Sequence, residues 1–267
     1  MSLGIFIKGP EGLVLAADSR ITLTSQVQGQ TFLVNFDNAT KLLNFSGENS
    51  CVGAVTYGQA LVGLTQRTAQ SFLPEFEQSL DKTTRLPIEV FTKKLSEFYM
   101  KQWQDNSPPD YHGSPMIFVV GGYNENEHFG RVFIIEIPFK PEPVEQNPGP
   151  NTFGITWGGQ KDIVDRLMSG CDYRLSKLII DSLGLNPTQI ELLNQVLQSV
   201  QLPIPINLLP LQDCVDLAIF FIRTTINAQN LIINLRGVGG PIDVATITRR
   251  EGFKFVQRKE IIGEGGK

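Results

Sequence analysis

Ser2 is the residue of this chain best placed for nucleophilic chemistry, because it becomes the first residue once Met1 is removed. Methionine is commonly trimmed when the next residue is as small as serine. Ser2 then carries both a hydroxyl and a free α-amine. An α-amine titrates at about 7.7–8.0, so it can take the proton of its own hydroxyl, directly or through a water. Two more residues suit this chemistry. Asp18 ends the apolar run Leu13–Ala17, a place where strand propensity disfavours a carboxylate. That charge must be solvated or paired. Lys41 opens the apolar run Lys41-Leu42-Leu43. An ammonium near Ser2 would stabilise the alkoxide and keep the α-amine neutral. Taken singly, each has an ordinary reading: Asp18 as a strand-end turn residue, Lys41 as an edge-strand lysine facing water.

The elements that must position these residues start with a hairpin. Leu3–Lys8 and Leu13–Ala17 are short apolar runs around the turn signal Gly9-Pro10-Glu11-Gly12. Residues equidistant from an antiparallel turn face each other, which sets Asp18 opposite Ser2 or Leu3. Strands are predicted at Phe32–Phe36, Lys41–Phe45 and Ser50–Thr56. The apolar period then turns helical over Gln59–Leu80 and Pro87–Gln104. Met116–Tyr123, Arg131–Ile137 and Asn151–Trp157 read as strands, with the proline-rich stretch Pro138–Pro150 as a surface loop. Lys161–Ser182, Thr188–Val200 and Asp213–Ala228 read as helices, with the proline-broken connector Pro203–Pro210 before the last. Ile242–Thr248 and Phe253–Gln257 close the chain as strands. This order suggests two stacked sheets with helices outside, in one domain.

Taken together, these residues resemble the proteasome β-subunit type of N-terminal-nucleophile hydrolases. The family's nucleophilic threonine stands sixteen residues before its aspartate, as Ser2 does before Asp18. Leu13–Arg20 resembles the strand leading to that aspartate, and Asn38–Leu42 the segment carrying the catalytic lysine. Ala54-Val55-Thr56-Tyr57-Gly58-Gln59-Ala60 resembles the segment whose glycine N–H forms the oxyanion hole, here Gly58. Gly158-Gly159-Gln160 has a counterpart before a helix. Gly239-Gly240-Pro241-Ile242-Asp243-Val244 is closest to the bacterial Anbu branch, which exposes its nucleophile by losing only methionine.

The resemblance implies an α+β, four-layer αββα sandwich over residues 1–267, with an insertion around 184–211. It implies an endopeptidase or amide hydrolase with Ser2, Asp18, Lys41 and Gly58 as its site. Peptides or unfolded proteins would be its substrates, within a homo-oligomeric ring or spiral, with no metal or organic cofactor. There are departures from the family. Ser2 replaces threonine, and Gly158 stands where the family has a serine. Leu235 and Val238 replace an aspartate and a serine that normally contact the amine. Two other readings stay open: an inactive structural subunit, and a small-amide acylase of the same fold.

Composition narrows the rest. The formal net charge is −4 and no basic run interleaves with aromatics, so nothing points to nucleic acid or an anionic membrane. Cys51, Cys171 and Cys214 are odd in number and far apart, which suggests neither a disulfide framework nor a metal site. His112 and His128 lie near loop signals and read as solvated. No stretch of eighteen apolar residues predicts a membrane span, and no secretory signal is visible. The sequence reads as that of a cytoplasmic protein. Large aromatics on the 59–104 helices (Phe72, Phe76, Phe91, Phe98 and Trp103) suggest a surface that a neighbouring subunit covers.

Overall fold

The computed structural model describes residues 2–81, 83–172, 174–233 and 236–263. The chain opens with strands β1 (Leu3–Lys8) and β2 (Leu13–Asp18), joined by a tight turn in which the Gly9 N–H donates to Gly12 O at 3.0 Å. Next come β3 (Ile21–Val27), β4 (Gln30–Phe36), β5 (Leu42–Asn44) and β6 (Val52–Gly58). Helices α1 (Leu73–Ser79) and α2 (Ile88–Asn106) follow. Four strands succeed them: β7 (Met116–Gly122), β8 (Arg131–Ile137), β9 (Lys140–Gln146) and β10 (Gly154–Gly159). Then come α3 (Asp162–Ser169), α4 (Arg174–Leu183), α5 (Pro187–Ser199) and α6 (Leu211–Leu231), before β11 (Ile242–Thr248) and β12 (Gly252–Gln257).

The described residues form an α+β structure with two five-stranded sheets and a separate hairpin. One sheet runs β10-β1-β2-β11-β12 and the other β5-β6-β7-β8-β9, every pairing antiparallel. Among the described residues, strands β3 and β4 pair only with each other. β1 and β2 are buried along their whole length, which is why both read as unbroken apolar runs instead of alternating ones. One core cluster joins residues of both sheets: Phe6, Leu13 and Leu15 meet Leu42, Val55 and Val119. A second packs α2 onto β6, β7 and β8 through Phe91, Leu95 and Tyr99. A third packs α3 and α6 onto β1, β2 and β11 through Val164, Phe221 and Ile222.

Several elements differ from the sequence reading, each for a physical reason. The predicted helix over Gln59–Leu80 is a loop up to Thr68, because Gly63 and Gln66 adopt positive φ (+55° and +58°) that a right-handed helix excludes. A Leu61–Thr68 bridge closes this loop, and the helical part shrinks to a 3₁₀ turn and α1. The proline-rich stretch Pro138–Pro150 contains a strand, β9. Pro141 and Pro143 are tolerated there because β9 is an edge strand, where a missing donor breaks no ladder. The helix predicted over Lys161–Ser182 is two helices, split where Gly170 takes a left-handed φ of +72° as a C-cap. Strand β3 has no counterpart in the reading.

The aromatics of α1 and α2 are consumed internally. Phe72, Phe76 and Phe91 are buried in one edge-to-face cluster that the partly buried Phe98 joins, and the buried Trp103 packs edge-to-face on Tyr111. The suggested subunit surface therefore does not rest on them. Exposed apolar side chains lie instead on α4, on α5 and just past its end, at Leu178, Leu192, Val196 and Val200. No residue of either helix is buried. No helix among the described residues is long and apolar enough to cross a membrane. Phe76→Ala should cost about 3–5 kcal/mol of stability, whereas Leu192→Ala should stay within about 0.5 kcal/mol. Urea denaturation of the two variants checks the difference.

Candidate active site

Strand register places the start of the chain against Asp18. Gly4 pairs with Ala17, so Leu3 faces Asp18, and the Leu3 N–H donates to Asp18 Oδ1 at 2.9 Å. On its other side β2 pairs with β11, setting Asp18 opposite Ile242. Asp18 is therefore buried between two strands at the end where the chain begins. Its carboxylate is satisfied completely. Lys41 Nζ donates to Oδ1 at 2.6 Å, and the Arg20 and Gly239 N–H groups donate to Oδ2 at 3.1 and 3.0 Å.

Lys41 immediately precedes β5 and is 4% exposed. Its ammonium donates to Asp18 and, at 2.6 Å, to Arg20 O. Burial lowers the Lys41 pKa from its ordinary value, while the Asp18 charge pulls it back up. Arg20 is held in turn by a two-bond pairing with Asp37, at 2.5 and 2.7 Å, and by donation to Arg236 O at 3.1 Å. Its guanidinium lies over Gly239, where a Cβ would strike it.

Ser2 is buried, and its carbonyl accepts from the Gln160 N–H at 2.7 Å. It lines a cleft of about 860 Å³ together with Gly58, Gly159, Gln160 and residues 22–25 of β3. Ser2 also lines a narrow recess shared with Lys41, Thr56, Tyr57 and Gly58. Met1 lies outside the described residues.

Gly58 ends β6 and is followed by a loop, so the expectation that it precedes a helix is corrected. Its N–H is presented by strand alternation instead. The Thr56 N–H donates to Lys41 O, on the β5 side, while the Gln59 N–H donates to Pro115 O, on the β7 side. Alternation turns the Gly58 N–H to the β5 side, past the start of β5 and toward the recess. The residue must be glycine: φ is +87° and a Cβ would collide with Pro115 O.

Gly158 is explained by a residue the sequence reading had placed only as a neighbour of Gly58. Gly158 pairs directly with Gly4, and a Cβ on either would run into the Tyr57 ring. The two glycines open a slot that Tyr57 fills from the other sheet. Burial raises the Tyr57 pKa, keeping its phenol neutral. Val238 contributes its backbone N–H to Gln229, and Leu235 lies outside the described residues. Sequence reasoning also missed the roles of Arg20, Asp37 and Gly239: the Arg20–Asp37 pairing spans 17 positions and the Gly239–Asp18 bond 221. The doublet Gly239-Gly240 was the available signal of a close backbone approach.

Other chemistries have less to stand on. Among the described residues no group of three or more His, Cys, Asp or Glu side chains could hold a metal ion. Cys51 and Cys214 are buried, and burial pushes the Cys214 thiol up to about 11, so it is no thiolate at neutral pH. His128 contacts Arg249 at the surface, away from Ser2.

The fold is that of Anbu, an ancestral β-subunit. An Anbu Gly-1 mutant from Hyphomicrobium sp. strain MC1 is 16% identical at a TM-score of 0.54, over 100% of this chain and 89% of its own. Anbu from Yersinia bercovieri is 15% identical at 0.54, over 95% and 86%. The Anbu complex from Pseudomonas aeruginosa, a helical assembly, is 16% identical at 0.56, over 97% and 88%. No protein-family model and no curated protein matches the sequence.

Two outcomes follow for stability. Asp18→Ala strands three backbone N–H groups and the Lys41 ammonium, while Lys41→Met leaves Asp18 with three donors. Breaking a buried pair costs about 3–5 kcal/mol, so Lys41→Met should fall near the lower end and Asp18→Ala should exceed it. Unfolded lysine, titrating at 10.5, holds its proton more tightly than folded Lys41. Between the folded value and 10.5 the unfolded state binds more protons, so this residue makes stability rise with pH there. Lys41→Met should remove that part of the slope, read from urea midpoints across alkaline pH.

Proposed function

We propose that this chain is an N-terminal-nucleophile amide hydrolase that cleaves peptide bonds. The observation that carries the reading is the buried Lys41–Asp18 pair: Asp18 accepts from the Leu3 N–H at 2.9 Å, and Lys41 lines a recess together with Ser2 and Gly58. Two buried charges are an expensive way to stabilise a strand end. They are an apt way to set the electrostatics of an adjacent hydroxyl.

The steps follow from these groups. With Met1 removed, the Ser2 α-amine accepts the hydroxyl proton, directly or through water, as Oγ bonds to the scissile carbonyl carbon. Lys41 stabilises negative charge on Oγ, and Asp18 holds Lys41 in place. The carbonyl oxygen becomes an oxyanion that accepts from the Gly58 N–H. The C–N bond then breaks and the leaving amine takes the proton from the α-amine. Water hydrolyses the resulting ester by the same route, releasing the acid and restoring Ser2. β3 has a strand partner on one side only and lines the cleft through residues 22–25. An extended peptide can add to such an edge, which favours peptides over small amides.

The three core clusters support a four-layer αββα sandwich forming one domain, with residues 184–211 as an insertion that includes α5. The exposed leucines and valine of α4 and α5, with the helical assembly of the Pseudomonas complex, support a homo-oligomer. An inactive structural subunit is the second reading, favoured by Gly158, which offers no hydroxyl beside the chain start.

A panel of fluorogenic peptides decides between them. Ser2→Ala should abolish turnover and Ser2→Thr should keep or raise it, since threonine preserves the hydroxyl and stiffens it. Lys41→Met should lower kcat/KM by about 10²–10⁴-fold. Equal turnover in wild type and Ser2→Ala would sink the hydrolase reading.

A further inference from the structure

Gln229 lies in the last turn of α6 and is 5% exposed, a buried amide at the edge of an apolar cluster. Its Oε1 accepts from the Val238 N–H at 2.9 Å. A backbone N–H can only donate, which fixes the amide orientation. Gln229 Nε2 must then point away, and it donates to Gln160 Oε1.

Both partners lead to the site. The Gln160 backbone N–H donates to Ser2 O at 2.7 Å, and Gln160 lines the cleft. Val238 is followed by Gly239, whose N–H donates to Asp18 Oδ2 at 3.0 Å. One side-chain amide thus ties the segment gripping Ser2 to the segment gripping Asp18. These segments are far apart in sequence and belong to different strand connections, β10–α3 and α6–β11.

We propose that Gln229 is a positioning residue that sets the placement of Ser2 relative to the Asp18–Lys41 pair. It acts through Gln160 and the Val238–Gly239 backbone and touches no reacting atom. The catalytic part of this role rests on the hydrolase reading given above. Gln229→Met keeps the side-chain length but leaves the buried Val238 N–H without its acceptor and removes the donor to Gln160 Oε1. Gln229→Glu keeps an acceptor for the Val238 N–H but lacks the donor to Gln160 Oε1, so it holds the first tie and releases the second.

Hydrogen exchange by mass spectrometry and inactivation by a β-lactone, run on wild type and both variants, test this. Gln229→Met should speed exchange in both 158–162 and 236–240, by about tenfold for a lost buried hydrogen bond, while β7 and β8 stay protected. Its inactivation rate constant should fall by a similar factor, with the half-saturating β-lactone concentration unchanged. Gln229→Glu should keep 236–240 near wild type while 158–162 exchanges faster. The proposal is overturned if Gln229→Met disturbs only one of the two segments, if loss of protection spreads to β7 and β8, or if Gln229→Glu behaves like Gln229→Met. Wild type that resists the β-lactone would defeat the hydrolase reading instead, and the exchange pattern would still decide whether Gln229 ties the two segments.

Discussion

A single buried carboxylate organises this end of the molecule. Asp18 accepts four hydrogen bonds, and its donors come from four places: β1, the turn after β2, the residue before β5, and the turn before β11. A buried carboxylate left short of donors is costly, so each of these segments is constrained by the others. The start of the chain is drawn in through Leu3. Lys41 is drawn in from the opposite sheet. The charge on Lys41 survives burial because Asp18 and Arg20 O both accept from it. Arg20 serves twice, with its N–H on Asp18 and its carbonyl on Lys41, and Asp37 holds its side chain.

Around that centre the two sheets are registered by steric fit. Tyr57 reaches from β6 into the slot between Gly4 and Gly158, which fixes β6 against β1 and β10. The same registration carries Gly58 to the recess that Ser2 lines. A side chain at Gly158 would compete with Tyr57 for one space. The serine that the proteasome-type pattern places there is thus incompatible with this packing, and its absence is a consequence of the core as much as of the chemistry.

What was legible in the sequence was local or strongly patterned. The β1–β2 turn is four residues with two glycines and a proline, so counting outward from it sets Asp18 opposite the chain start. The long α2 and α6 and most strands show their period directly. Lys41 was legible as a charge in an apolar run and Asp18 as one at a strand end, and because each needs a partner their pairing was within reach of the sequence. The remainder depends on tertiary context. The prolines of β9 mimic a loop until its edge position is known. The leucines of 59–68 mimic a helix until the positive φ at Gly63 and Gln66 is known. The donation from Gly239 to Asp18 spans 221 positions, and no local pattern announces it.

The proposed chemistry requires the Ser2 hydroxyl and the Ser2 α-amine to act together. An epoxyketone peptide tests both groups in one reaction. The hydroxyl adds to the ketone and the amine opens the epoxide, closing a ring that no internal serine can form. Intact-mass and fragment spectra should show a chain lacking Met1 and carrying one inhibitor attached at Ser2 through both atoms. A chain that keeps Met1, or that loses it and stays unmodified at saturating inhibitor, would contradict the account.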